Sequence, residues 1–117
     1  MKRHLFCLIA VIFGVCVQSL HAEEPYLELI QAMRNRGFSD TALDYIEELR
    51  TRNDLPDDVK ARLSFEEFRV HQQSARLAKT VELKQAALEK ALASLERFAK
   101  ESPNHPLAGS ANSERAG

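Results

Sequence analysis

Beyond residue 22, every glycine and proline of this chain stands between runs of helical apolar spacing, and none stands inside one. The positions are Pro25, Gly37, Pro56, Pro103, Pro106, Gly109 and Gly117. Proline cannot continue a helix interior and glycine weakens one, so residues placed this way punctuate helices. The chain between the breaks is predicted to be all-α.

The spacing predicts a first helix opening at Pro25, with Tyr26, Leu29, Ile30 and Met33 on one face and Gly37 ending it. Ser39 is expected to cap a second helix running to about Arg52, which buries Ala42, Leu43, Ile46 and Leu49. Phe38 and Leu43 are placed for a hydrophobic staple across that cap. Two such helices joined by Gly-Phe-Ser make an antiparallel hairpin.

Pro56 opens a third helix with Asp57 and Asp58 in its first turn, where the dipole favours acids. This helix carries two apolar rows, Val59, Leu63, Val70 and Leu77 in one and Ala61, Phe65, Phe68 and Ala75 in the other. Two rows imply cover on two sides, as in a stacked array of helices. A fourth segment, from about Thr80 to Glu101, places Val81, Leu88, Ala91, Leu92, Leu95, Phe98 and Ala99 on a stripe. Thr80 is the one plausible cap between the third and fourth segments, so both separate helices and one long helix fit the sequence. Charge pairs four apart, Glu48 with Arg52, Asp58 with Arg62 and Glu96 with Lys100, are expected to support the exposed faces.

Residues 1–22 have the layout of a secretory signal peptide: Lys2 and Arg3, an apolar run from Leu5 to Val17, a polar turn, and Ala22 at the cleavage position. The run is shorter than the ~20 residues of a membrane span. Leu20, two before Ala22, leaves cleavage after Ser19 or retention as an anchor as alternatives, and membrane association is expected only if the leader is kept. The expected location is therefore periplasmic or extracellular. Both cysteines, Cys7 and Cys16, lie in the leader, so no disulfide staples the rest. The leader also holds two of the 16 basic residues and none of the 17 acidic ones. That leaves 14 against 17, a net charge of −3, which gives nucleic acid no electrostatic foothold. About 95 residues remain, one small domain near the lower size limit for a disulfide-free fold. The expected division is 1–22 leader, 23–104 helical domain of about four helices, and 105–117 flexible tail.

Ala91, Leu95, Phe98 and Pro103 form Ala-x3-Leu-x2-Phe-x4-Pro, which resembles the second helix of a tetratricopeptide repeat. The first hairpin fits the same template more loosely, and Lys79 and Glu82 depart from it. The order of Leu-x-x-x-Met-Arg-x-Arg-Gly-Phe-x-Asp-x-Ala-Leu-Asp-Tyr-Ile, Asp-Leu-Pro and Ser-Pro-Asn-His-Pro-Leu-Ala resembles the opening of large secreted helical-repeat proteins of planctomycete bacteria. The resemblance spans most of residues 25–112. It implies an array of antiparallel hairpins, belonging either to a genuinely short protein or to a truncated, non-functional fragment of a larger repeat protein.

No catalytic, cofactor or metal site is expected. Only His71 and His105 lie beyond the leader, without a second ligand at His-x3-His spacing, and no phosphate-binding glycine loop or Gly-x-Ser-x-Gly elbow occurs. The expected role is a protein-interaction or scaffolding module, with Tyr45, Phe65 and Phe68 as candidate contacts with a protein partner. The alternative is a structural bundle that self-associates through Val81, Leu88, Leu92 and Leu95, making a homo-oligomer.

Overall fold

A computed structural model of the chain describes residues 25–116, and the side chains of residues 25–114. The leader and its cleavage position Ala22 lie outside the described residues. The described chain is all-α, with five helices: α1 Tyr26–Asn35, α2 Ser39–Thr51, α3 Asp57–Leu77, α4 Val81–Glu101 and α5 Ala108–Ala116.

The α1–α2 link is a Schellman turn built on Gly37. Its φ is +80°, the N–H of Phe38 reaches the carbonyl of Met33 at 2.9 Å, and the N–H of Gly37 reaches Arg34 at 3.0 Å. This turn is so tight that Phe38 itself takes the cap position and its carbonyl accepts from Ala42. Ser39 is thus the first helical residue and makes no side-chain cap, contrary to the sequence expectation. Phe38 is 56% exposed.

The face of α1 also differs from the expected one. Tyr26, Ile30 and Arg34 point inward, one turn apart, while Leu29 is exposed and Met33 half-buried. Arg34 wins the inner position because Glu66 of α3 receives it, Nη1 to Oε2 at 3.3 Å. A buried guanidinium is tolerable only with such a partner.

Thr80 divides α3 from α4, its hydroxyl accepting from the N–H of Leu83 at 3.2 Å. The two helices fold back as an antiparallel hairpin. Their register is fixed by Ser102 Oγ on the Ala61 carbonyl (3.1 Å), Ser64 Oγ on Glu101 (3.0 Å) and the Phe65–Phe98 ring pair at 5.3 Å.

The central element is α3, which packs against α1, α2 and α4. Its Val59, Leu63 and Val70 enter one core with Tyr26, Ile30, Ala42, Ile46 and Leu49. Its Phe65 and Phe68 enter a second with Ala91, Leu95, Phe98 and Ala111. Helical spacing separates the two rows around the axis, which lets one 21-residue helix join two hydrophobic cores. Leu77, assigned to the first row, is 56% exposed because it lies at the helix end.

The fifth helix departs from the expected tail. Residues 102–107 turn through His105 N–H to Ser102 (3.2 Å) and Ala108 N–H to His105 (2.9 Å). His105 then fixes the turn to α3: Nδ1 accepts from the N–H of Leu107 at 3.2 Å, and Nε2 meets Asp58 at 3.3 Å. Ala111 is buried, and its small side chain lets α5 lie close against α4. Packing rather than a strong apolar stripe places this helix, which is why composition alone concealed it.

Candidate protein-interaction face

Along α4, residues seven and eleven apart share a face, so Val81, Leu88 and Leu92 align. They are 75%, 47% and 45% exposed. Leu95 was expected in the same seam, yet it is 2% exposed and belongs to the second core. The angular difference is small, but Leu95 turns toward Phe65 and α5, whereas Leu88 and Leu92 stay on the open side. The seam expected for self-association is therefore Val81, Leu88 and Leu92 without Leu95.

Bareness here has a positional cause. The turn holding residues 102–105 sits beside Ala61 and Asp58, so α5 starts at the α3 N-terminus and runs antiparallel to α4. Nine residues cover about 13 Å of a helix that is about 31 Å long. Among the described residues only the C-terminal half of α4 is covered in this way. From Val81 to Lys90 every residue but the half-buried Ala87 is exposed, and burial begins at Ala91.

One edge of the bare face is acidic. Glu82, Glu89 and Glu96 recur every seven residues, all exposed, and among the described residues none of them is in an ion pair. Glu89 accepts from Gln85 at 3.3 Å. The seven-residue repeat is legible in the sequence, but only the burial pattern shows that it borders an open apolar stripe.

Phe65 and Phe68, expected to contact a partner, are each 6% exposed. They pack with each other at 5.7 Å and against Phe98, so the chain's own fourth helix fills the row that the sequence offered to a partner. Tyr45 is half-buried against the first core. The three do not converge on one surface.

Polar side chains concentrate instead at the helix seams. Glu67 accepts from Arg50 Nη2 at 2.6 Å and Arg97 Nη1 at 3.3 Å, and His71 Nε2 stands 3.8 Å from its other oxygen. His71, Arg50 and Arg97 together hold the Glu67 carboxyl down from 4.5 to about 2, against the upward push of burial. Arg50 also pairs with Glu47 and donates to Ser64 at 3.1 Å, and its own pKa is raised by Glu67 and Glu47 against the cost of burial. The network joins α2, α3 and α4. Ser64 is engaged by both Arg50 and Glu101, so it offers no free nucleophile beside His71.

A second polar cluster lines a cavity of about 530 Å³ between α1, α3 and α5. Glu66 there binds Arg34 and, at 3.0 Å, Arg62, so Arg62 pairs with Glu66 rather than with the expected Asp58. Burial, with Arg69 adding to it, lowers the Arg34 pKa. Arg34, Arg62 and Arg69 are balanced on the cavity wall by Glu28, Glu66 and Glu114, which leaves no net charge to draw in an ion.

Among the described residues no three of His, Cys, Asp and Glu are grouped to hold a metal, and no helix is long and apolar enough to cross a membrane. Comparison with protein-family models, with curated proteins and with solved structures finds no match to this chain.

Proposed function

We propose that this chain is an exported helical-hairpin module of the cell envelope, resembling a tetratricopeptide-repeat array, which binds a protein partner along the bare half of α4. The observation that carries the reading is the exposure of Val81, Leu88 and Leu92 on a face whose other half α5 already covers. A helix surface that buries its own α5 at one end is shaped to bury another helix at the other. The leader pattern of residues 1–22 supports export.

Affinity capture from envelope extract with the purified exported chain tests the proposal. A protein retained by the native chain and lost with Leu88→Glu/Leu92→Glu supports it. Equal retention by both chains, or none by either, overturns it.

Self-association on the same face is the second reading, favoured by the alignment of Leu88 and Leu92. Light scattering separates the two: a dimer dissolved by Leu92→Glu assigns the face to a second copy.

A further inference from the structure

The bare half of α4 has a definite length, direction and charge, and together these describe what lies on it. From Val81 to Leu92 it extends for about 18 Å, a little over three helical turns. It continues the groove occupied by α5, whose Ala111 packs on the core of Leu95 and Phe98. A helix in line with α5 would therefore meet Leu92, Leu88 and Val81 in succession. Its own apolar residues would need the i, i+3/i+4, i+7 spacing of an amphipathic helix.

Charge selects the type of helix. Glu82 and Glu89 border the bare stretch and Glu96 prolongs the same edge, while Lys84 lies toward the other edge and Lys100 only at the far end. Among the described residues Glu82, Glu89 and Glu96 have no cationic partner. An antiparallel second copy of α4 would bring matching edges together, glutamate against glutamate, which disfavours it. That repulsion favours a docked helix with a cationic edge over an antiparallel second copy.

Resting on the proposed binding role of α4, we infer that its partner is an amphipathic helix of about three turns with a lysine- or arginine-bearing edge, docked coaxially with α5 so that its cations face Glu82 and Glu89.

Two helix-stabilised fluorescent peptides with the same leucine face, one edged with lysine and one with glutamate, test this by anisotropy titration against the exported chain. The lysine-edged peptide is expected to bind roughly fivefold more tightly, from two rim ion pairs. That advantage should shrink as NaCl rises from about 50 mM to about 0.5 M. In the Glu82→Lys/Glu89→Lys variant the preference should reverse, with helicity by circular dichroism confirming that the variant folds. Equal binding of both peptides, abolished by Leu88→Glu, overturns the charge assignment while leaving the binding face in place. Binding of neither peptide overturns the inference and the face together, and a dimer dissolved by Leu92→Glu then gives the face to a second copy.

Discussion

Arg50 and Glu67 meet at 2.6 Å across the seam between α2 and α3, and the same carboxylate takes Arg97 from α4. One anion thus holds cations from two other helices, in a position where its own side chain is only 15% exposed. The backbones of the first hairpin and α4 do not approach each other closely, so Glu67 adds a polar tie to the apolar contacts that α3 makes with each.

The pH dependence of folding should carry the signature of this group. Its folded pKa of about 2 lies below its ordinary 4.5, so its contribution is complete above about pH 4.5 and is lost as pH falls toward 2. The contribution is on the order of 3 kcal/mol. Urea midpoints measured between neutral pH and pH 2 should fall steeply in that window for the native chain and more shallowly for Glu67→Gln. Parallel acid limbs would contradict the assignment.

Arg34 and Glu66 make a different test, because both are nearly excluded from water. Glu66→Leu leaves Arg34 buried without its carboxylate and should cost ~3–5 kcal/mol. Replacing both, as Arg34→Met/Glu66→Leu, removes the orphaned charge and should recover most of that loss. Chemical denaturation of the two single variants and the double variant gives the coupling directly. Additive losses would show that the pair acts independently.

At Gly37 the constraint lies in the backbone rather than in space. A Cβ would find Leu77 Cδ1 at 3.6 Å, an ordinary contact, but φ is +80°. Gly37→Ala should cost about 1–2 kcal/mol, and Gly37→Asn less, since asparagine tolerates the left-handed region better. For a domain of this size a 1 kcal/mol loss is read as a fall of roughly 4–8 °C in Tm.

Leu92 and Leu95 should separate stability from binding. Leu95→Ala empties a site in the second core and should cost ~2–5 kcal/mol. Leu92→Ala should stay within about 1 kcal/mol, since Leu92 is 45% exposed. Thermal melts of the purified variants give the comparison. If Leu92→Ala were as damaging as Leu95→Ala, the α4 face would be part of the fold rather than open.

Thr80→Ala removes the side-chain cap at the start of α4 and should cost about 1 kcal/mol. Hydrogen exchange should quicken first in the opening turn of α4.

Much of this fold was legible in local chemistry. Gly37 and Pro56 mark the ends of helices because φ and the missing N–H act on single residues, and the two rows of α3 are visible because helical period is a local property. Thr80 was legible as a cap, but whether it separated two helices depended on α3 and α4 finding a hairpin register through Phe65, Phe98 and the Ser102–Ala61 bond. The first helix misled: its apolar spacing favoured Leu29 and Met33, while Arg34 took the interior through a carboxylate 32 residues away. A sequence pattern holds no information about a partner at that separation.

For the candidate face the division is sharper. The sequence by itself determined an α-helical chain, the apolar stripe of α4 and the seven-residue glutamate repeat beside it. Only the tertiary structure decided that Phe65, Phe68 and Leu95 are consumed by the core while Val81, Leu88 and Leu92 are not. Periodicity fixes the direction of a side chain around its own helix, whereas exposure depends on how far a neighbouring helix reaches, and α5 reaches only halfway along α4.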